Sequence, residues 1–353
     1  MTNTHKTVSI VAACRNEIKH IAGFLESVLA QHTDGFDLEV LIADGMSDDG
    51  TRDVLARFRA RDSRLRVFDN PSLTTAPGLN GVIREARGEI ILRMDAHTEY
   101  APEYVLECIR VLEETGADNV GGAARTKSEG LMARAIAAAY HNPFASGGAR
   151  FHNESYEGWV DTVPYGCWRR ETLLRLGLFD EQLVRNQDDE LNFRITRSGG
   201  KIWQSARIRS WYRPRGSLRQ IFRQYLQYGY WKVAVIRKHG RVASWRHVMP
   251  PLFVVVNLLL PVIALAAMAA GMSAIASWVG KGEVLLIVAY SASSIGAAGV
   301  SIRKHGFAAA ALLPVVFPVF HVSYGIGFLW GLCDTLTPSV GRQPRAAITQ
   351  LTR

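Results

Sequence analysis

Two residues able to bind a metal, Asp95 and His97, follow a short apolar segment at 89–92 that is typical of a buried β-strand. Side chains two positions apart on an extended chain point the same way, so the carboxylate and the imidazole can face one ligand. Manganese and related divalent cations accept both kinds of ligand. The pattern predicts a cation site that could hold a diphosphate. The alternative is a strand-end turn whose polar side chains meet only water, and so short a motif leaves both open.

A second acidic cluster, Asp188-Asp189-Glu190, begins a predicted helix that ends at Gly199-Gly200. A carboxylate at such a place can serve as a general base that removes a proton from a hydroxyl group. The helix dipole also favours carboxylates at a helix N-terminus, so the cluster could instead have a structural role.

Alternating strands and helices should position these side chains. Predicted strands at 7–13, 38–43, 65–68 and 89–92 are separated by predicted helices at 18–31, 52–61 and 77–87. This alternation indicates an α/β fold with a parallel sheet covered on both faces, and such sheets bind ligands beyond the carboxyl ends of their strands. The loops that follow the first, second and fourth strands should therefore share one edge; they carry Arg15, Glu17, Asp44 and Asp95.

Four segments in this order together resemble glycosyltransferase family 2, whose inverting enzymes use nucleotide sugars and have the GT-A fold, a Rossmann-like mixed sheet with helices on both faces. The resemblance covers about residues 7–240 and is strongest to bacterial exopolysaccharide enzymes of the succinoglycan-type glucosyltransferase group. The segments are Ala12-Ala13-Cys14-Arg15-Asn16-Glu17, Ala43-Asp44-Gly45-Met46-Ser47-Asp48-Asp49-Gly50-Thr51, Asp95-Ala96-His97 and Asn186-Gln187-Asp188-Asp189-Glu190-Leu191.

The resemblance implies roles for individual residues. Asp188 would be the catalytic base, although Gln187 stands where the family has Glu. Asp95 and His97 would bind Mn²⁺ or Mg²⁺ together with the diphosphate of a UDP-sugar; the family triplet usually ends in Asp, and a histidine there favours manganese. The nucleotide pocket would be lined by Arg15, Glu17 and Asp44, with Asp44 accepting hydrogen bonds from the uracil or the ribose. A capping or turn role fits Asp48 and Asp49 better than it fits Asp44.

Further matches concern the sugar and the acceptor. The segment 163–170 resembles the family's glycine-bearing strand, in which Gly166 would let the backbone approach the donor and Trp168 would contact the acceptor. The segment 227–231 resembles the Gln-x-x-Arg-Trp signature of processive polysaccharide synthases, with Tyr230 in the place of the arginine. Gln227 and Trp231 are the other predicted acceptor residues, and Trp231 could equally be an interfacial anchor.

The charges are distributed unevenly along the chain. Residues 1–190 contain 21 Lys and Arg against 30 Asp and Glu, whereas residues 191–353 contain 20 Lys and Arg and only two acids, Glu283 and Asp334. A basic, Trp- and Tyr-rich helix predicted within 216–247 is typical of contact with an anionic membrane surface rather than nucleic acid. The four cysteines fit neither a zinc site nor a disulfide framework, and the polar N-terminus does not look like a signal peptide.

Three uncharged segments, 248–271, 284–302 and 307–333, are long enough to be considered membrane spans. The basic residues before the first segment and at 303–305 predict that both places are cytoplasmic, with a loop at 273–283 on the opposite side. Three spans would place the C-terminal tail outside, which its arginines disfavour, and the third segment could instead be re-entrant. The predicted organisation is a catalytic domain at 1–215, an interfacial region at 216–247, a membrane region at 248–333 and a tail at 334–353.

The leading hypothesis is a metal-dependent hexosyltransferase, a multi-pass protein of the inner membrane with a cytoplasmic catalytic domain. It would move glucose from a UDP-sugar to a polyprenyl-diphosphate-linked saccharide during exopolysaccharide biosynthesis, alongside other polysaccharide-assembly proteins. One alternative is a processive synthase that extrudes its product. The other is a non-catalytic membrane-anchored binding protein on a degenerate transferase fold, which the departures at His97 and Gln187 keep open.

Overall fold

The computed structural model describes residues 6–242 and 244–336, which form two compact units. The first unit contains residues 6–127 and 150–213, and the second contains 128–149 and the described residues from 214 onward. The division made from the sequence differs, because it assigned 128–149 to the catalytic domain.

The first unit contains all eleven strands of the described ranges. They are β1 (Lys6–Cys14), β2 (Phe36–Asp44), β3 (Leu65–Asp69), β4 (Ile90–Arg93), β5 (Thr98–Tyr100), β6 (Asn119–Gly121), β7 (Arg125–Thr126), β8 (Gly158–Val160), β9 (Cys167–Arg169), β10 (Ile202–Gln204) and β11 (Ser210–Tyr212).

The α-helices occur in both units. They are α1 (Ile21–Leu29), α2 (Thr51–Arg61), α3 (Thr75–Glu85), α4 (Tyr104–Thr115), α5 (Leu131–His141), α6 (Pro143–Ser146), α7 (Arg170–Leu176), α8 (Gln187–Arg197), α9 (Leu218–His239), α10 (Met249–Ala269), α11 (Ser273–His305), α12 (Phe307–Ala310) and α13 (Leu313–Leu336).

The main sheet has the strand order β3-β2-β1-β4-β9-β6-β10-β8. Strands β1 to β4 are parallel, β9 runs antiparallel between β4 and β6, and β8 is antiparallel to β10. A small second sheet has the order β5-β11-β7. The predicted α/β fold with a mixed sheet is confirmed.

Strand β1 lies at the centre because both of its faces are buried. Ile10 and Ala12 belong to the hydrophobic cluster that includes α1 and α4, whereas Val11 belongs to the cluster that includes α3 and α8. Successive side chains of a strand point to opposite faces, so an uninterrupted apolar run suits a strand that is covered on both sides. Because β1 pairs in parallel with β2 and with β4, the carboxyl ends of these three strands lie at one edge of the sheet.

In the second unit, the alanine-rich face of α5 packs against the start of α13. Ala135, Ile136 and Ala139 share a buried cluster with Leu313 and Phe317. Polar contacts accompany this packing: the side-chain amide of Asn142 donates to the carbonyl oxygen of Ala297 at 2.9 Å and to the Ser301 hydroxyl at 2.9 Å. These contacts explain why 128–149 groups with the C-terminal helices.

Three helices, α10, α11 and α13, are long and apolar enough to cross a membrane. Their bounds differ from the predicted segments at one place in particular. The loop expected at 273–283 is helical, since α10 and α11 are joined by the short connection 270–272 and α11 begins at Ser273.

Candidate functional site

The loops after β1 and β2 are tied together by the polar residues of the first two motifs. Asn16 has a left-handed backbone (φ 56°), which turns the chain sharply after β1. The amide of Asn16 donates to Ser47 Oγ (2.9 Å), and the amide of Glu17 donates to Thr51 Oγ1 (2.8 Å). The amide of Ile18 donates to Asp49 Oδ2 (3.1 Å), and the amide of Asp48 donates to Asn16 Oδ1 (3.0 Å). Many residues of these motifs therefore position the loops.

Asp44, at the end of β2, is only 1% exposed and organises the turn that follows it. Its carboxylate accepts from the backbone amide of Ser47 at 3.1 Å and from the Ser47 hydroxyl at 2.6 Å, and Arg52 lies 3.6 Å away. The structure thus gives Asp44 the turn role that the sequence assigned rather to Asp48 and Asp49. A contact between Asp44 and a nucleotide remains a prediction.

Arg15 is a cation without an ion pair or hydrogen bond among residues 6–242 and 244–336. Its aliphatic stem lies beside Gly45, where a Cβ atom would stand 3.1 Å from the Cβ of Arg15. The half-buried side chain is therefore held at the edge of the sheet, with its charge available to an anion. Glu17 lies nearby and begins the next turn, as its carbonyl oxygen accepts from His20 and Ile21 at 2.8 Å each.

Aromatic side chains support the turn that carries Asp95 and His97. The backbone amide of Asp95 donates to the Tyr100 hydroxyl at 2.7 Å, and Tyr165 shares a 2.7 Å hydrogen bond with Thr98. The imidazole of His97 lies edge-on to another tyrosine ring, with ring centroids 5.9 Å apart. The turn is therefore held by hydrogen bonds and ring packing within the protein.

Arg93, the last residue of β4, joins the predicted base Asp188 to the predicted metal ligand Asp95. Its guanidinium group donates to Asp95 from Nε at 3.2 Å and from Nη2 at 3.1 Å, and it forms a second ion pair with Asp188. The Arg93 side chain is only 8% exposed. Burial by itself lowers the pKa of Arg93, but Asp188 and Asp95 raise the pKa above its usual value, so the guanidinium remains charged.

The pKa of Asp188 is raised above that of an ordinary aspartate. Burial raises the pKa of Asp188 to about 6, against the lowering effect of Arg93. The group is therefore ionised at neutral pH and binds a proton more readily than an ordinary aspartate.

The neighbours of Asp188 on α8 have other surroundings. Glu190 is fully buried, and Arg194 donates to both of its oxygens at 2.8–3.0 Å. Gln187 donates its side-chain amide to the carbonyl oxygens of Leu183 at 3.0 Å and Val184 at 2.7 Å. A glutamate could not donate these bonds, which gives a structural reason for this departure from the family pattern.

The predicted residues of the sugar-binding strand have structural roles. Gly166 adopts φ 115°, and a Cβ atom there would collide with the indole of Trp168 and come within 2.7 Å of Asn119 Oδ1. The glycine is thus required by the protein itself. Trp168 is 1% exposed and lies edge-on to Phe179, with ring centroids 6.0 Å apart. Its burial is at odds with the predicted contact to an acceptor, since no indole surface is available.

The other predicted acceptor residues lie in the second unit. Gln227 is fully buried and Trp231 is nearly so, on the helix α9 that packs along α13. Their role at an acceptor therefore stays a prediction.

A divalent cation fits Asp95 only if a substrate supplies other ligands. Nowhere in 6–242 or 244–336 do three or more His, Cys, Asp and Glu side chains gather as a self-sufficient metal site would need. Magnesium and manganese sites that bind phosphates commonly use one or two protein carboxylates, with phosphate oxygens and waters completing the shell. The partly exposed carboxylate of Asp95, with His97 two residues away, is a donor set of that kind.

Sequence reasoning missed Arg93 and the supporting tyrosines. Arg93 lies two positions before Asp95, so the same strand periodicity that paired Asp95 with His97 places the arginine on that face too. Its contact with Asp188, 95 positions away in the chain, carried no sequence signal.

Comparisons with known proteins agree with the geometry. The family model described as glycosyl transferase family 2 matches residues 9–174. The succinoglycan biosynthesis protein ExoA of Rhizobium meliloti (strain 1021) is 31% identical over 246 residues, covering 68% of this chain and 73% of that protein.

Two archaeal proteins are also similar. A dolichyl N-acetyl-α-D-glucosaminyl phosphate 3-β-D-2,3-diacetamido-2,3-dideoxy-β-D-glucuronosyltransferase of Methanococcus voltae is 26% identical over 261 residues, covering 72% of this chain and 81% of that enzyme. The mannosyltransferase PcManGT of Pyrobaculum calidifontis, solved with GDP-Man and Mn²⁺, superposes with a TM-score of 0.58 at 17% identity, covering 93% of this chain and 88% of that one, and so shares the fold. The family motifs occur in order on a sheet of the GT-A fold, and the ExoA relative is 31% identical over 68% of this chain. The chain therefore belongs to glycosyltransferase family 2.

Proposed function

We propose that this glycosyltransferase moves glucose from UDP-glucose, with inversion, to a polyprenyl-diphosphate-linked saccharide in exopolysaccharide assembly. The observation that carries the proposal is the bridge from Arg93 to both Asp95 and Asp188, because it brings together the residue that we propose as base and the residue that we propose as cation ligand. The name of the ExoA relative supports a bacterial polysaccharide as product, and the name of the Methanococcus relative supports a lipid-linked acceptor.

Each residue has a chemical task under this proposal. Asp188 accepts the proton of the acceptor hydroxyl as that oxygen attacks the anomeric carbon. Arg93 holds Asp188 in place and keeps its carboxylate ionised. Arg15 contributes positive charge toward the donor. Asp95 and His97 would hold a divalent cation, which would supply charge neutralisation for the departing diphosphate. One base and one in-line displacement give inversion, whereas a retaining hydrolase uses a second carboxylate as a nucleophile.

We infer a single addition rather than processive synthesis from the contacts of Tyr230. In this chain Tyr230 stands at the arginine position of the processive signature, and its hydroxyl donates to Asp334 at 3.0 Å. A neutral side chain already bonded within the second unit cannot supply the charge that an arginine would. The catalytic domain would lie in the cytoplasm, where nucleotide sugars are made, with the membrane helices in the inner membrane.

The Asp188→Asn variant should lose transfer by about 10²–10⁴-fold, because the amide cannot accept the proton. Its affinity for the UDP-sugar should stay within a few-fold, since a base acts mainly in the transition state. Turnover measured by UDP release and donor affinity measured by calorimetry separate the two effects. Asp189→Asn is the matched control on the same helix turn and should stay near-normal. Near-normal turnover of Asp188→Asn with an inactive Asp189→Asn would show that the base is the neighbouring residue.

The pH profile should report the raised pKa of Asp188. Since the base must be ionised, kcat/KM should fall about tenfold per pH unit below about pH 6 and level off above it. Arg93→Gln should move this acid limb to higher pH, because Arg93 lowers the pKa of Asp188. Arg93→Lys, which keeps the charge, should move the limb back toward the parent value. An acid limb near pH ~4, the ordinary aspartate value, would contradict the assignment.

Donor binding should need a cation held by Asp95 and tuned by His97. Because imidazole is a softer ligand than carboxylate, manganese should support tighter UDP-sugar binding than magnesium, and His97→Asp should narrow that gap. Asp95→Ala should remove the metal-dependent part of binding, whereas Asp53→Ala, an exposed carboxylate on α2, should not. Calorimetry with each metal and with a chelator is the measurement. Donor affinity indifferent to chelator and to Asp95→Ala would reject the cation site.

Arg15→Ala should weaken UDP-sugar binding by about tenfold, the equivalent of ~1.4 kcal/mol, because it removes a positive charge that no described residue neutralises. Lys19→Ala, a nearby exposed cation, is the control and should bind the donor normally. The same titration calorimetry applies to both variants. Equal affinities for the two variants would place Arg15 outside the donor site.

A further inference from the structure

Helices α9 and α13 lie side by side and run in the same direction. Tyr225 packs on Phe320 with ring centroids 4.3 Å apart, and farther along both helices the Tyr230 hydroxyl donates to Asp334 at 3.0 Å. Glycines allow the backbones to approach closely between these points. Gly229 lies against the carbonyl oxygen of Tyr324, and Gly327 lies against that of Leu226. Because these contacts extend along both helices, the axes of α9 and α13 point in a similar direction.

Helix α9 carries basic residues along its whole length and, unlike α10, α11 and α13, has no apolar stretch long enough to cross a membrane. Its 22 residues include three arginines and two lysines, placed near both ends and in the middle: Arg219, Arg223, Lys232, Arg237 and Lys238. Each Arg or Lys at the centre of a bilayer costs roughly 2.5–3.5 kcal/mol on insertion scales. An amphipathic helix with basic residues and Trp and Tyr side chains instead lies in the interfacial plane of an anionic leaflet. If α9 lies in that plane, its parallel partner α13 does too.

The hairpin formed by α10 and α11 provides independent support. Gly325 of α13 lies against Pro250 and Val254, which belong to the first turns of α10. Farther along α10, the apolar side chains of Leu258, Val262, Leu265 and Met268 are 60–65% exposed. A spanning α13 would run beside this part of the hairpin and cover it. Within the most apolar 18 residues of each helix, 44% are buried in α13, against 11% in α10 and 17% in α11.

We propose that α10 and α11 form the transmembrane hairpin, while α9 and α13 form a two-helix platform on one leaflet. The partner of this platform is the anionic surface of the membrane: the arginines of α9 would meet lipid headgroups, and exposed apolar residues of α13 such as Val315 and Ile326 the acyl boundary. The chain beyond Leu336 then stays on the same side as α9. This arrangement also places Arg342, Arg345 and Arg353 with the other basic residues, as the positive-inside rule favours.

The platform replaces both earlier topologies for the third apolar segment. A third span would carry the tail across the membrane. A re-entrant segment would have to turn back, whereas α13 is one continuous helix of 24 residues with Pro318 inside it. The cytoplasmic location of the platform rests on the proposed function. The location of the tail and α9 on the same side of the membrane does not depend on that function.

Cysteine labelling in intact cells tests the platform. The background is the full chain with Cys333→Ser, since the other three cysteines are buried. Single cysteines are then introduced as Ser273→Cys at the hairpin turn, Val242→Cys after α9 and Ser339→Cys after α13. Ser301 is unsuitable for such labelling because it is buried and bonded to Asn142. With a membrane-impermeant maleimide, only Ser273→Cys should react before permeabilisation, and all three should react afterwards.

The labelling patterns distinguish a failure of the platform from a failure of the proposed function. Labelling of Ser339→Cys together with Ser273→Cys in intact cells, and not of Val242→Cys, would show that α13 spans the membrane and would overturn the platform. Labelling of Val242→Cys and Ser339→Cys without Ser273→Cys would support the platform and overturn the cytoplasmic location of the catalytic domain. Reporter fusions at Met1 and after Arg353 provide a second measurement without cysteines. Reporters on opposite sides would also overturn the platform.

Discussion

The arrangement of the site depends on one buried cation between two carboxylates. Arg93 is held by the central sheet, and its guanidinium group pairs with Asp95 on its own strand end and with Asp188 at the start of α8. A buried charge is costly unless it is paired, and two neighbouring carboxylates repel each other unless a cation lies between them. This triad therefore fixes the distance between the end of β4 and the start of α8, and it supplies part of the electrostatic environment that leaves Asp188 both ionised and basic.

Several residues of the recognisable motifs hold the protein's own loops in place. Asn16, Ser47, Asp49 and Thr51 tie two loops together, and the carboxylate of Asp44 is enclosed by the turn that it organises. These residue types suit the loops because their side chains accept hydrogen bonds from backbone amides that would otherwise be unpaired. The tied loops then present at the edge of the sheet the cation of Arg15, which pairs with no residue of 6–242 or 244–336.

In the second unit, glycines allow neighbouring helices to pack closely. Gly229, Gly325, Gly327 and Gly331 each lie against the backbone or side chains of a neighbouring helix, where a larger residue would force the helices apart. Close backbone approach of this kind brings neighbouring helices into extensive van der Waals contact. The segment 128–149 joins the same packing through its alanines and through Asn142.

The sequence by itself determined the alternation of strands and helices, the edge of the sheet that carries Asp95, the helix that begins at Asp188, and three apolar helices after a basic one. These features follow from local periodicity and from short motifs, which need no knowledge of distant residues. Only the tertiary structure decided that Arg93 joins Asp95 to Asp188, that Trp168 is buried, that 128–149 packs with the C-terminal helices, and that α13 lies along α9. The reason is physical: each of these depends on contacts between residues far apart in the chain, and an apolar run has the same composition whether lipid or protein covers it.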